Sequence, residues 1–146
     1  MNQAVDLDEL TLFRDMARRA FDQEITPHYE AWEEERMVPR TLWNRLGEAG
    51  LLCPDMEEQY GGAGTSPHVT LAMIEELSEM GYGGFASSYG IHNNIIAPYL
   101  SRHGTEEQKM RWLPRMAKGE VVGALAMTEP GAGSDVQGIR TNAVRD

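Results

Sequence analysis

The residues best suited to binding chemistry lie near the C-terminal end, in the segment 126–138, which reads AMTEPGAGSDVQG. Thr128 and Ser134 each bring a hydroxyl and a backbone N–H donor. Gly131 and Gly133 lack a Cβ, so the backbone can approach a ligand closely, and successive N–H groups in such a turn bind phosphate oxygens without a lysine. Taken alone, the segment is equally typical of a glycine-rich β-turn that binds nothing, and both interpretations stay open at this point.

Three other patterns are weaker candidates for chemistry. The four histidines show no i,i+4 pairing and no companion cysteines, so we expect surface or core histidines and no metal site. Cys53 has no basic neighbour in sequence, which favours an inert thiol. Residues 81–86 match G-x-G-x-x-A and residues 86–90 nearly match G-x-S-x-G. Neither follows a predicted strand, so a dinucleotide-binding loop and a serine nucleophile are both disfavoured.

Charge and composition exclude several classes of protein. The 146 residues carry 13 basic and 23 acidic side chains, a net charge of −10, which opposes binding to nucleic acid. No apolar stretch approaches the roughly 18 residues of a transmembrane helix, and the first residues lack the pattern of a secretory signal. A single cysteine indicates a reducing compartment, and we expect the protein to be cytoplasmic.

Most of the sequence has the apolar periodicity of helices. Ser66 followed by Pro67 predicts one helix start, and the Thr105–Gln108 capping box predicts another. The predicted helices span residues 7–25, 28–36, 40–48, 67–80, 85–102 and 106–118. The helices that precede the segment 126–138 must therefore position its hydroxyl and backbone N–H groups.

The pattern changes after residue 119. Val121 to Thr128 is a short, almost purely apolar run that predicts a buried strand, and Arg140 to Val144 predicts a second strand. We therefore expect a mainly α chain with an all-helical domain over 1–119 and the start of a β domain over 120–146. Two strands do not make a complete domain, so we expect the sequence to be part of a longer protein.

The segment 126–138 resembles the flavin-binding signature of the acyl-CoA dehydrogenases at every fixed position. Four further segments are similar to this family in the family's order: 51–54, 60–64, 103–109 and 113–116. Residues 124–130 and 134–141 are most similar to the long-chain branch. The resemblance implies the N-terminal helical bundle domain of this fold, followed by the first strands of its middle β-barrel domain.

The resemblance also implies FAD as cofactor and assigns residues to it and to the substrate. The implied cofactor-binding residues are Leu125, Met127, Thr128, Gly133 and Ser134, and the implied substrate-binding residues are Ser87, Ser88, Ile91 and Ser134. The resemblance implies that Thr128 hydrogen-bonds the isoalloxazine and that Ser134 contacts the FAD pyrophosphate region near the acyl thioester. Leu125 stands where many relatives have an aromatic residue over the flavin.

The implied activity is α,β-dehydrogenation of acyl-CoA thioesters in fatty-acid β-oxidation. In this family a carboxylate removes the α proton while the β hydride passes to N5 of FAD, which an electron-transfer flavoprotein reoxidises. The implied assembly is a homo-oligomer, a dimer or a tetramer. The resemblance implies that the family's catalytic carboxylate lies beyond residue 146, so no residue of this sequence is assigned the role of the base. Glu129 is expected to be a structural partner within its loop. The sequence alone is therefore expected to be inactive.

Two alternatives differ from this assignment. An acyl-CoA oxidase shares the helical domain and differs in how oxygen reaches the flavin, which these residues do not decide. A helical interaction module that kept the scaffold and lost catalysis is the alternative from another class of protein.

Overall fold

The computed structural model describes residues 7–145, with the backbone alone for residue 9. The α-helices, in chain order, are α1 (Leu7–Glu24), α2 (Tyr29–Glu35), α3 (Arg40–Glu48), α4 (Pro67–Glu79), α5 (Gly83–Gly90), α6 (Ala97–His103) and α7 (Glu106–Ala117). A π-helical segment, Ile91–Ile96, joins α5 to α6, and short 3-10 turns occupy Glu58–Tyr60 and Val136–Gly138. The mainly α fold class is confirmed.

The predicted helix starts form through the predicted side chains. The Ser66 hydroxyl accepts the His68 N–H at 3.4 Å, with Pro67 in the first turn of α4. At the start of α7 the Thr105 hydroxyl accepts the Gln108 N–H at 3.3 Å, and the Gln108 side chain accepts the Thr105 N–H at 2.8 Å. Both caps satisfy N–H groups that have no partner within the helix.

The single helix predicted over 85–102 contains a wider turn. The helical run extends from Gly83 to His103, and its middle turn is π-helical. The side chain of Asn93 donates to the Tyr89 carbonyl at 2.9 Å and accepts the Cys53 N–H at 2.6 Å. The Asn93 amide thus competes for a carbonyl that an α-helix reserves for its own backbone, which favours the wider turn.

The core lies mainly between α1, α3, α4 and α5. Its largest fully buried side chains in these helices and their connections include Phe21, Ile25, Leu46, Leu51, Leu52, Met73, Leu77, Phe85 and Tyr89. A smaller cluster under α6 and α7 contains Cys53, Met56, Tyr60, Ala97, Leu113, Met116 and Ala117. Ion pairs from Arg14 and Arg18 to Glu76, at 2.8 and 2.7 Å, connect α1 to α4. Among residues 7–145, no helix is long and apolar enough to cross a membrane.

The strands predicted over 121–128 and 140–144 do not form among the described residues. The isolated antiparallel bridge between Glu129 and Ala132 lies in the loop between the two predicted strands and involves neither of them. A strand requires a neighbour to receive its backbone hydrogen bonds, and the N–H groups of Val121 and Gly123 instead reach the Arg115 carbonyl and the His92 ring. An apolar run indicates burial, and it does not by itself supply that neighbour.

Candidate functional site

A cavity of about 610 Å³ lies between α2, α3, α5 and the residues 122–125. Its walls are largely apolar and include Trp32, Trp43, Phe85 and Leu125. The volume lies within the range of about 300–1,000 Å³ that small-molecule sites occupy. An apolar group is the kind of ligand that such walls favour.

The cavity brings together three of the residues singled out in the sequence. Ser88 and Ile91 line it from the helical run, and Leu125 lines it from the C-terminal segment. Ser88 and Ile91 are three residues apart, which puts them on one helix face. Ser87 is exposed and does not line this cavity.

One end of the cavity is polar, and sequence analysis missed it. Tyr29, Glu33 and Gly84 line both the cavity and an adjoining open cleft. A Cβ on Gly84 would lie 3.3 Å from Glu33 Oε1 and 3.6 Å from the Tyr29 hydroxyl. Burial, with a further effect of Glu33, raises the pKa of Tyr29, so its hydroxyl keeps its proton. The acidic run at 33–35 was the available signal, although sequence alone could not place it against Gly84.

The loop after Thr128 is held by its own acidic residues. Glu129 accepts the Arg140 N–H at 3.0 Å and the Thr141 N–H at 2.8 Å. Hydrogen bonds from Thr141 and from the Arg140 backbone lower the pKa of Glu129. A carboxylate with both oxygens engaged and a lowered pKa is a poor proton acceptor, so Glu129 serves to close this loop.

The polar side chains of the same loop face solvent. Met127, Thr128, Gly133 and Ser134 are exposed and lie outside the lining of the cavity. Within the described part of the chain, the Thr128 and Ser134 hydroxyls have no hydrogen-bond partner. No atom beyond the adjacent residues lies within 4 Å of where a Cβ on Gly133 would be. The loop therefore presents free donors on an open surface.

His92 connects the helical run to the C-terminal segment. Its ring is fully buried, accepts the Gly123 N–H at Nδ1 over 3.0 Å, and places Nε2 3.3 Å from the Met116 carbonyl. Burial lowers the pKa of His92 to about 4, so the imidazole is neutral near pH 7. Sequence analysis allowed a core histidine here and gave no signal for its contact with Gly123.

Cys53 lies beside this histidine without forming a reactive pair. Its Sγ is 3.7 Å from His92 Nε2. Burial raises the pKa of the Cys53 thiol to about 12, the same effect that keeps the imidazole neutral. An activated cysteine needs a thiolate beside a cation, and this pair provides neither.

Comparison with known proteins identifies one family for most of the chain. The family profile described as "Acyl-CoA dehydrogenase, N-terminal domain" matches residues 7–120. The chain is 40% identical over 138 residues to the mitochondrial long-chain specific acyl-CoA dehydrogenase of Sus scrofa, covering 94% of this chain and 32% of that protein. The chain thus spans about a third of the length of the curated relatives it matches.

Solved structures have the same fold. The crystal structure of acyl-CoA dehydrogenase from Geobacillus kaustophilus superposes with a TM-score of 0.89 at 43% identity, covering 94% of this chain and 36% of that one. A glutaryl-CoA dehydrogenase from Mycobacterium smegmatis, in complex with FADH2, superposes with a TM-score of 0.85 at 34% identity, covering 97% and 36%.

Proposed function

Because the chain belongs to the acyl-CoA dehydrogenase family through the N-terminal domain of that family, we propose that it contributes this domain to an FAD-dependent enzyme. The enzyme dehydrogenates acyl-CoA thioesters at the α,β position in fatty-acid β-oxidation. The observation that carries the proposal is the cavity in which Ser88 and Ile91, assigned to the substrate, face Leu125, assigned to the flavin.

The cavity is proposed to bind the acyl chain. Its apolar walls suit methylene groups, each of which contributes about 0.8 kcal/mol when transferred from water. The volume and the similarity to a long-chain enzyme of Sus scrofa support a long acyl chain. The polar end at Tyr29 and Glu33 marks the far limit of the apolar surface.

The loop from Thr128 to Ser134 is proposed to bind FAD along one edge. Its free hydroxyls, and the open space at Gly133, fit a polar ring edge and a pyrophosphate better than an apolar ligand. FAD, when bound, supplies the acceptor for the β hydride. Thr128 would donate to the isoalloxazine, where a fixed donor stabilises developing negative charge, and Ser134 would donate near the pyrophosphate and the thioester. Leu125 and Met127 would supply apolar contacts, and Gly133 a close backbone approach.

The proposal assigns no catalytic base within these 146 residues. Glu129 is engaged by Arg140 and Thr141 and is not a candidate. The chain by itself is therefore expected to be inactive. An electron-transfer flavoprotein as electron acceptor and a homo-oligomeric assembly belong to the same proposal and are supported by the family resemblance. A cytoplasmic location is proposed from the single cysteine, which is free and buried.

The acyl-chain assignment is tested at Gly84, with Gly83 as a matched control in the same helix. Residues 7–146 replace the matching part of the Geobacillus kaustophilus enzyme, and this chimera is assayed with palmitoyl-CoA and octanoyl-CoA. Gly84→Ala puts a methyl group against Glu33 and Tyr29, whereas the space around Gly83 is open. We expect Gly84→Ala to raise the KM for palmitoyl-CoA by roughly tenfold relative to octanoyl-CoA. If both variants have the same ratio of the KM for palmitoyl-CoA to the KM for octanoyl-CoA, the acyl chain does not bind in this cavity.

A further inference from the structure

The last backbone anchor before the proposed flavin residues is a hydrogen bond to His92. The Gly123 N–H donates to Nδ1 of the fully buried ring over 3.0 Å. A Cβ on Gly123 would lie 2.7–2.8 Å from the side chain of Ile96, so the backbone rests directly on the π-helical segment. The π-helical segment therefore fixes the position of the Gly123 backbone, from which residues 124–128 continue.

The rest of the ring's surroundings fixes its tautomer. A carbonyl can only accept, so Nε2, 3.3 Å from the Met116 carbonyl, carries the proton. The Cys53 sulfur, 3.7 Å from Nε2, is a weak acceptor and is compatible with a proton at that position. Nδ1 then keeps the lone pair that Gly123 requires. The ring also packs against Trp43, at 5.2 Å between ring centroids and 60° between planes. Trp43 and Val122 both line the cavity, so His92 supports that wall from behind.

Beyond Gly123 the segment has no comparable support. Residues 124–128 are exposed, and within the described part of the chain their backbone makes no hydrogen bond. The positions of Leu125 at the cavity and of Thr128 three residues further on thus depend on the anchor at Gly123. A shift there moves the cavity wall at Leu125 and the proposed flavin contact at Thr128 together.

We propose that His92 is a positioning residue whose unprotonated Nδ1 holds Gly123, so that Leu125 closes the acyl cavity and Thr128 is presented to the flavin. The ligands that Leu125 and Thr128 contact are taken from the proposed function. The hydrogen bond between Gly123 and His92 is seen in this chain and does not depend on that proposal. Protonation of Nδ1 would replace the acceptor with a donor and break the anchor.

Two variants that both carry a side-chain amide distinguish the roles of Nδ1 and Nε2. His92→Asn places an amide oxygen at the position of Nδ1 and keeps an acceptor for Gly123. His92→Gln places its amide at the position of Nε2, keeps a partner for the Met116 carbonyl, and leaves the Gly123 N–H without one. Both variants lose the imidazole ring, so both are destabilised by the cavity that its removal leaves.

Hydrogen exchange at the Gly123 amide of the 146-residue chain is the first readout. We expect exchange about tenfold faster in His92→Gln than in His92→Asn, as the loss of one hydrogen bond implies. Equal exchange in the two variants would overturn the anchor. If neither variant folds, the unmodified chain decides: a through-bond coupling between the Gly123 N–H and Nδ1 is expected, and a proton on Nδ1 would overturn the proposal.

Kinetics of the chimera separate positioning from general support of the fold. His92→Gln is expected to raise the KM for palmitoyl-CoA and to shift the flavin absorption. His92→Asn is expected to keep both close to the values of the chimera that has His92. Failure of His92→Asn to keep these values in a folded chimera that retains flavin would contradict positioning. A chimera without flavin even with His92 present would count against the proposed function, and the exchange measurement would still decide the anchor.

Discussion

Single residues of the C-terminal loop show how far sequence can place a site. The Glu129 carboxylate closes the loop, as its position in the signature predicted, because its partners at 140 and 141 lie close along the chain. Ser87 and Ser88 are adjacent in sequence, yet only Ser88 lines the cavity with Ile91. That choice depends on helix phase and on the packing of α2, which residue types alone do not encode. Tyr29 and Gly84 meet through tertiary packing and could not be paired from sequence.

At Thr128 and Ser134 the proposed contacts are separable by substitution in the chimera. Thr128→Val keeps the shape and removes a donor to the flavin, so flavin reduction should slow by an amount equivalent to about 1–3 kcal/mol. Ser134→Ala should raise the dissociation constant for FAD or the KM for acyl-CoA without changing the thermal stability. Stopped-flow reduction and flavin titration measure both. Unaltered flavin content, reduction rate and KM in both variants would show that these hydroxyls do not contact the ligands.

The buried imidazole of His92 makes stability depend on pH. Burial lowers its folded-state pKa from the ordinary value of 6.5 to about 4, so the unfolded chain takes up a proton first as the pH falls. The stabilisation is complete above about pH 6.5 and is lost progressively towards pH 4, by about 3 kcal/mol in total. Urea unfolding of the 146-residue chain at several pH values measures it. His92→Asn should have a shallower slope in this window, and an identical slope would contradict a neutral buried imidazole.

At the scale of elements, local signals were sufficient for helices and insufficient for strands. Caps such as Ser66 and the Thr105–Gln108 box act within a few residues, so the predicted helix starts are found in the structure. The π-helical turn arises from the contact of Asn93 with Cys53, which lies 40 residues away in sequence. Pairing of residues 121–128 likewise depends on a distant neighbour, and the apolar pattern does not specify one.

A buried carboxylate strengthens the contact of α1 with α4, and its contribution can be tested against that of an exposed carboxylate. Glu76 is 7% exposed and bonds Arg14 and Arg18, whereas Glu79 is 65% exposed and lies 3.7 Å from Arg18. Glu76→Gln should lower the free energy of unfolding by about 1–3 kcal/mol, because it removes the buried carboxylate that both arginines share and leaves them with the more exposed Glu75 and Glu79. Glu79→Gln should change it by less than about 0.5 kcal/mol. Chemical unfolding of both variants makes the comparison, and equal effects would mean that the network does not join the helices.

At the scale of the whole molecule, the helical domain provides one wall of a proposed site. The net charge of −10 over the 146 residues leaves anion binding to backbone and hydroxyl donors of the loop rather than to a basic patch. Family membership is shown by the match over residues 7–120 and by the common fold. The chain spans about a third of the length of its curated relatives, so its proposed contribution to flavin chemistry is best measured together with the other two thirds of a relative.

Anaerobic mixing of the chimera with palmitoyl-CoA, followed by the visible flavin absorption, tests the central claim most directly. The account predicts a chimera that purifies with stoichiometric flavin and is bleached by substrate. It also predicts a colourless 146-residue chain, because the loss of about 4 kcal/mol of flavin contacts weakens binding roughly a thousandfold. A cooperatively folded chimera that holds no flavin, or whose flavin is not bleached under conditions that bleach the Geobacillus kaustophilus enzyme, would contradict it.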